Sequence, residues 1–386
     1  MFFEISKIAN EAYPNNHRVL DEVYFNCDLG WEKHSHGGHI IFYKGYLLDD
    51  IAQDEFFDNL IQDPTPKYRG NFLAIIVGDK ITVTNDSCRG SPLQFTQHQK
   101  ITNLDQDLTA IWADKYVTID KALFVEQHQF TPYEAQYQDI SFEDAVKKVD
   151  DIFCESFENF LSKNTRPLKL FLSGGIDTLT MYSYLKKFTS NFELIDYEYM
   201  KFTHFYTKNW HSKIRKFWGY TQMHSWGDVP AAILTGGCGD EYNLRGPYTL
   251  SKLTAYHGID VIGLLADNKD CYHYTYFNKD KNKKHFQSQQ EQWQSRDQVI
   301  DFVLNNLVND HQHWHLDETI CFTPNKDLRI PNTIMRMPKQ DIINQVLNAE
   351  FNKQLIIKNN ADDLKMLSRQ KNHAGLENVL RIKNAL

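Results

Sequence analysis

A buried-strand pattern that runs straight into a glycine turn and then a helix pattern leaves few folds open to this chain. Leu168-Lys169-Leu170-Phe171-Leu172 is a short apolar run behind Pro167. It passes directly into Ser173-Gly174-Gly175-Ile176-Asp177-Thr178, after which apolar residues recur at helical spacing to Leu185. A second unit of the same form follows, with Ala231-Ala232-Ile233-Leu234 leading into Thr235-Gly236-Gly237-Cys238-Gly239-Asp240-Glu241. Strands that alternate with helices favour a parallel sheet with covered faces, whose carboxyl edge gathers the strand-to-helix turns. The expectation is an α/β fold in which Asp177 and Asp240 approach a common cleft.

Residues 1–135 read as mostly strands. Runs such as Ile40 to Leu48 and Phe72 to Asp86 are rich in β-branched and aromatic residues, and Gly78-Asp79-Lys80 between two apolar runs predicts an antiparallel hairpin. From Ser141 the period changes. Ala145, Val149, Ile152, Phe153, Phe157 and Phe160 recur at helical spacing, with Ser141 and Asp144 as a capping-box pair. The 386 residues exceed one ordinary core, and the change of pattern predicts a sheet-based domain over 1–138 and a strand–helix domain over 139–386. Asn278 to Gln298 is polar without a strong period and predicts a mobile loop or a solvated helix. Past Ser295, helical patterns alternate with breaks at Pro324, Pro331 and Pro338.

Charge narrows the function. Lys and Arg number 42 against 50 Asp and Glu, a net of −8, which disfavours a nucleic-acid partner because phosphate-backbone affinity comes from clustered basic residues. No apolar run is long enough to span a bilayer, and the first residues show no basic segment followed by an apolar one, so a cytoplasmic protein without a membrane partner is expected. The six cysteines form no C-x-x-C pair and read as free thiols. His34-Ser35-His36 and the histidines of His311 to His315 read as surface residues rather than metal ligands. The aromatic cluster from Phe202 to Trp226 reads as core and interface packing.

The first glycine turn would place backbone N–H groups and two hydroxyls, those of Ser173 and Thr178, at the positive end of a helix, which is an anion site. Gly174 and Gly175 permit close approach of phosphate oxygens. Asp177 does not suit a bare phosphate cradle. A carboxylate beside a polyphosphate makes sense with Mg²⁺ between them, and Asp240 in the second turn supplies a matching carboxylate. There is no G-x-x-x-x-G-K-[ST] loop and no G-x-G-x-x-G fingerprint after a strand, which disfavours γ-phosphoryl transfer and dinucleotide binding.

At these residues the chain resembles the pyrophosphatase-type (PP-loop) ATP-dependent ligases, and among them the asparagine synthetase family, which includes β-lactam synthetase, carbapenam synthetase and the lasso-peptide cyclases. Leu172 to Thr178 matches the family's L-S-G-G-x-D-S, and Thr235 to Glu241 is similar to its S-G-x-G-x-D-E. Thr323 to Arg329 is similar to P-[FL]-x-D-x-x-[LV], and Asn352-Lys353-Gln354-Leu355 to the K-x-x-L-R element that carries a catalytic lysine. Tyr68 to Ile75 and Asn85 to Leu93 are similar to L-x-G-x-F-A-F and R-D-x-x-G-x-x-P-L. The resemblance implies an amidotransferase-like first domain of the N-terminal-nucleophile (Ntn) hydrolase fold and a doubly wound PP-loop synthetase domain.

The implied chemistry is adenylation of a carboxylate by ATP, release of pyrophosphate, and transfer of the acyl group to an amine. Leu172, Ser173, Gly174, Gly175, Thr178 and Gly236 would bind ATP and its pyrophosphate, Mg²⁺ would sit on Asp177 and Asp240, and Lys353 would stabilise developing negative charge. Phe2 stands where the glutaminase members carry their nucleophilic cysteine, so the amine would be ammonia or belong to the substrate, with cyclisation as one form. Nothing around Cys27 argues for a cleavage that would expose it. Gly237 replaces the family's Glu or Tyr, which leaves Glu241, Tyr242 or a histidine as the base. Only 63 positions separate Asp177 from Asp240, implying a rebuilt acceptor pocket. The partners are then a small-molecule or peptide carboxylate and an amine, with room for a homodimer. The alternatives are a PP-loop enzyme that adenylates a nucleobase oxygen and a degenerate nucleotide-binding subunit.

Overall fold

The computed structural model describes residues 3–11, 13–87, 115–129, 138–172, 175–195, 230–237, 239, 243 and 318–366, with the backbone of three short strands at 93–96, 100–102 and 109–111. Within them β1 (Phe3–Ser6), β2 (Asn15–Leu20), β3 (Val23–Cys27), β4 (Glu32–His36), β5 (His39–Leu47), α1 (Gln53–Gln62), β6 (Gly70–Val77), β7 (Ile81–Asn85), β8 (Leu93–Thr96), β9 (Lys100–Thr102), β10 (Thr109–Ile111), β11 (Lys115–Ile119) and β12 (Val125–Gln129) come first. Their strands build two antiparallel six-stranded sheets, ordered β10-β8-β9-β1-β3-β2 and β12-β11-β7-β6-β5-β4. Then follow α2 (Phe142–Lys163), β13 (Leu168–Phe171), α3 (Ile176–Phe188), β14 (Glu193–Ile195), β15 (Ala232–Leu234), β16 (Ile320–Phe322), α4 (Arg329–Ile334), α5 (Lys339–Asn348) and α6 (Glu350–Asn360). Here the strands form a four-stranded parallel sheet, β14-β13-β15-β16. The protein is a mixed α/β structure that includes a parallel sheet.

Strand β6 is buried along its whole length because both faces of its sheet are covered. Alternation sends Leu73, Ile75 and Val77 into a core shared with Phe3, Ile5 and Phe25 of the other antiparallel sheet. It sends Phe72, Ala74 and Ile76 against Phe56, Phe57 and Leu60 of α1. Helix α1 departs from the mostly-strand reading of residues 1–135. Its three large apolar residues fall on one helical face behind Asp54 and Glu55, which suit the positive helix start. The hairpin forms as read, with Val77 opposite Ile81 and the Gly78 N–H donating to the Lys80 carbonyl at 3.0 Å.

Cys27 ends β3 between β1 and β2 and has no exposed surface. Burial, reinforced by the adjacent Asp28 charge, pushes its thiol far above the usual range, so it is a packing residue. Asp28 is itself buried but fully engaged: Lys44 Nζ lies 2.6 Å from Oδ2 and the Trp31 indole N–H donates to Oδ1 at 2.8 Å. Among the described residues Cys27, Cys154 and Cys321 are free thiols.

Helix α2 starts at Ser141, whose Oγ accepts from the Asp144 N–H at 3.1 Å and lies 2.7 Å from its carboxylate. Its apolar stripe packs on one face of the parallel sheet. Phe160 stacks on Phe322 at 4.0 Å between ring centroids, and Phe157 meets the same ring edge-on at 5.3 Å. Leu170, Leu234 and Phe322 share that core, while their strand neighbours Phe171, Ile233 and Cys321 belong to a buried cluster of their own, as two-residue alternation requires.

Pro331 does not break a helix. It is the third residue of α4, in the first turn, where its missing N–H has no intrahelical bond to forfeit. Pro324 opens a 3₁₀ turn over Pro324–Lys326, and Pro338 caps α5. Asn278 to Gln298, the aromatic cluster Phe202 to Trp226, His311 to His315, Cys88, Cys238 and Cys271 lie outside the described residues. No described helix is long and apolar enough to cross a membrane.

Candidate functional site

Strands β13 and β15 are parallel neighbours with Leu170 opposite Leu234, so the chain leaves both at the same edge of the sheet. After β13, Leu172 is fully buried and its N–H donates to the Ile195 carbonyl at 3.1 Å. This bond carries the pairing with β14 one residue beyond β13. Gly175 is exposed and caps α3 in an extended conformation, with Asp177 and Thr178 as the second and third helical residues. The Thr178 hydroxyl donates to the Gly175 carbonyl at 3.1 Å, so its proton, assigned to a phosphate from the sequence, is turned into the helix cap.

The second turn lies directly on the first. A Cβ on Gly236 would fall 2.5 Å from the Thr178 backbone nitrogen, and one on Gly239 would fall 2.5 Å from Asp177 Oδ1. Side chains at both positions are excluded by the backbone and carboxylate of α3. This close approach is the physical reason for glycine here. Within the turn the Gly237 N–H donates to Thr235 Oγ1 at 3.1 Å and the Gly239 N–H to the Gly236 carbonyl at 3.1 Å.

The loop after β16 holds this turn from the other side. Thr323 Oγ1 donates to the Gly237 carbonyl at 2.9 Å, and the Asn325 side-chain amide reaches the Gly236 and Gly237 carbonyls at 3.4 and 3.3 Å. A buried amide network continues from there: Asn243 donates to Asn325 Oδ1 at 3.4 Å, and Gln345 Nε2 donates to the Asn243 carbonyl at 3.0 Å and to Asn352 Oδ1 at 2.7 Å. Lys353, next in the chain, sits half-buried in the first turn of α6 with its N–H on the Ala349 carbonyl at 3.0 Å. The helix carrying Lys353 is therefore tied through Asn352 and Gln345 to the segment after Gly239.

Below the loop two arginines and three carboxylates interlock. Arg69 Nη2 and Arg329 Nη1 meet the two oxygens of Glu155 at 2.7 and 2.9 Å, and Arg329 also grips Asp327 at 2.7 Å. Arg69 binds Asp49 at 2.7 Å and lies 3.7 Å from Asp327, which is 2% exposed. Burial opposes the charge on each arginine, and the carboxylates more than offset it, so both guanidiniums are held charged. For Glu155 burial alone would raise the pKa, but the two guanidiniums outweigh it and leave it below its ordinary 4.5. Because the folded value is the lower one, the stabilisation is complete above pH 4.5 and disappears as pH falls through the folded value. Thermal unfolding of Glu155→Gln is accordingly expected to depend less on pH than that of the parent between about pH 5 and pH 3. Parallel curves would show that Glu155 carries no linkage.

Of the residues singled out from the sequence, the structure brings Gly175, Asp177, Thr178 and Gly236 together. Lys353 is connected to them through the amide network rather than by a contact of its own. Ser173, Gly174, Asp240, Glu241, Tyr242 and Phe2 lie outside the described residues. His34 and His36 pair with Glu32 at 3.3 Å and Asp58 at 2.8 Å on β4, away from this edge. Sequence reasoning assigned no role to Thr323, Asn325, Asn243, Gln345 or Asn352. Their signal is a set of amides at buried positions, such as Gln345 three residues after Ile342 and Asn352 beside Phe351, where a helix pattern calls for apolar residues. No protein-family model matches the chain, and no curated protein matches it either.

Proposed function

We propose that this protein is an AMP-forming amide ligase: it adenylates a carboxylate with ATP, releases pyrophosphate, and passes the acyl group to ammonia or to an amine of the substrate. The observation that carries the reading is the contact of two glycine turns at neighbouring parallel strand ends, with Asp177 at the point of contact. Exposed Gly175 at the start of the 13-residue α3 gives a polyphosphate backbone access at a positive helix end. Gly236 and Gly239, which admit no Cβ, keep the second turn pressed on Asp177. These features fit an ATP pyrophosphate with Mg²⁺ on Asp177 and, by the sequence motif, Asp240. That ion would supply charge neutralisation of the departing pyrophosphate.

The chain's own residues would then divide the work. A carboxylate oxygen of the substrate displaces pyrophosphate from the α-phosphorus while Gly175 and Gly236 bind and orient the phosphates. The amine nitrogen then bonds to the acyl carbon as the carbon–oxygen bond to AMP breaks. Lys353 offsets the negative charge on the acyl oxygen. Gly237 has no side chain to take the amine proton, which assigns that task to a residue such as Glu241. In this reading residues 1–138 are an amidotransferase-like Ntn domain without a nucleophile and residues 139–386 a doubly wound synthetase domain. Two antiparallel sheets sharing one core support the first assignment, and Cys27, buried with a raised pKa, offers no replacement nucleophile.

The test is Mg²⁺-dependent ATP–pyrophosphate exchange with the purified full chain and a panel of carboxylates, with hydroxylamine to capture the activated acyl group as a hydroxamate. Exchange that requires one carboxylate, accompanied by its hydroxamate, is the expected result. ATP binding without exchange across amino-acid, dicarboxylate and peptide panels would favour the degenerate-subunit reading. Failure to bind ATP at all would overturn the proposal.

A further inference from the structure

Residues of the antiparallel sheets reach the candidate nucleotide site through one loop. Tyr46, at the end of β5, lies with its ring edge-on to Phe160 and Phe322 at 5.2 and 5.4 Å, and its hydroxyl accepts from the Thr323 N–H at 3.4 Å. The same Thr323 donates its hydroxyl to Gly237. At the other end of the loop Asp327 is held between Arg329 and Arg69, and Arg69 leads β6 and is fixed by Asp49 through both its backbone N–H and its Nε at 2.7 Å. Asn159 and Lys163 of α2 donate to the Leu48 and Asp49 carbonyls at 2.8 and 2.6 Å, so the whole edge is registered.

Tyr46 and Leu48 already pack these layers together through the apolar core. A ring of charges that includes a 2%-exposed aspartate adds what apolar packing lacks, a fixed orientation of the groups it joins. The loop it orients is the one that carries the hydrogen bonds to Gly236 and Gly237, which in turn press on Asp177 and Thr178.

We infer that the antiparallel-sheet part of this protein serves the nucleotide site as a positioning element, with Tyr46 and Arg69 as positioning residues that set the height of the Thr323–Arg329 loop and, through it, of the Gly236–Gly237 turn against Asp177. This deepens the ligase reading and rests on it for the nucleotide, whereas the coupling from loop to turn does not.

The experiment uses the full chain and two variants. Tyr46→Phe keeps the ring packing and removes the hydroxyl, and Arg69→Met opens the charged ring. Lys80→Met, which breaks an exposed pair with Glu126 at 3.3 Å, is the control. Two readouts are taken: backbone hydrogen exchange of residues 231–237 and 319–329, and calorimetric titration with Mg²⁺ and a non-hydrolysable ATP analogue.

Arg69→Met is expected to speed exchange in both segments by about tenfold and to weaken nucleotide binding by about tenfold, with exchange in residues 180–188 of α3 unchanged. Tyr46→Phe should show a smaller effect of the same kind, and Lys80→Met neither. Should Arg69→Met fold poorly, Arg69→Lys, which keeps the charge but loses the fork, takes its place with an intermediate expectation. Faster exchange at residues 48–49 and 159–163 with none at 231–237 would overturn the inference, since the interface would then have loosened without moving the turn. If the parent binds no nucleotide, the ligase reading fails, and the hydrogen-exchange arm still decides the coupling.

Discussion

Under the proposed ligase chemistry, Asp177→Ala is expected to lower Mg²⁺-dependent ATP–pyrophosphate exchange by on the order of 1000-fold, because it removes the carboxylate that faces the second glycine turn and with it the proposed charge stabilisation of the leaving pyrophosphate. The fold should survive. Asp177 is half-buried in the first turn of α3, where its favourable interaction with the helix start contributes about 0.3–1 kcal/mol. Thermal unfolding should therefore move by no more than about 1–2 °C, since the shift per kcal/mol shrinks as the chain lengthens. Asp177→Asn separates charge from shape: it is nearly isosteric, and it should lose nearly as much exchange if the carboxylate binds Mg²⁺. Exchange within threefold of the parent in both variants would remove Asp177 from the site and leave the glycine turns as packing alone.

Gly45→Ala is expected to have the largest effect on stability. Gly45 lies within β5 opposite Phe72 with φ at +125°, a conformation closed to residues with a side chain, and a Cβ there would sit 2.1 Å from the Asn71 carbonyl oxygen. Retreat of either strand is costly, because β5 is paired with β6 from Ile40 to Leu47 and its neighbouring side chains are buried in the cores on both faces. The backbone cost of about 1–3 kcal/mol and the overpacking cost of about 1–3 kcal/mol both apply, giving about 4 kcal/mol and a fall in the unfolding midpoint of about 5 °C. Tyr46 follows Gly45 in the chain, so the variant should also loosen the loop at Thr323. A midpoint within 2 °C of the parent, measured by calorimetry, would show that β5 and β6 can separate locally without loss.

Much of this structure was legible before any coordinates. The period of α2 from Ala145 to Phe160, its cap at Ser141, the hairpin at Gly78-Asp79-Lys80 and the two strand-to-turn units all appear where the patterns put them. The misses have physical reasons. α1 is only ten residues long, and Phe56, Phe57 and Leu60 are too few apolar positions to establish a helical period. Pro331 looked like a break because a proline within a helix pattern usually is one, yet in a first turn it costs nothing.

The candidate site divides in the same way. Gly175, Asp177 and Thr178 stand out in the sequence because a strand-to-helix glycine turn is a local object, contiguous in the chain, and Gly236 stands out in a second turn of the same kind. Lys353 was given a role by its motif, whereas Asn325 and Asn352, which lie in the matched segments, and Gln345, which does not, were given none, since a buried amide announces itself only once its burial is known.

By itself, then, the sequence determined the long helix α2, the hairpin and the two strand-to-turn units, because hydrophobic period, capping and glycine content act over a few neighbouring residues. Only the tertiary structure decided that the second turn rests on Asp177, that a ring of two arginines and three carboxylates lies beneath it, and that Tyr46 reaches Thr323 across 277 positions of chain. Such contacts depend on how separate layers pack, and no local pattern in the chain encodes the pairing of residues so far apart.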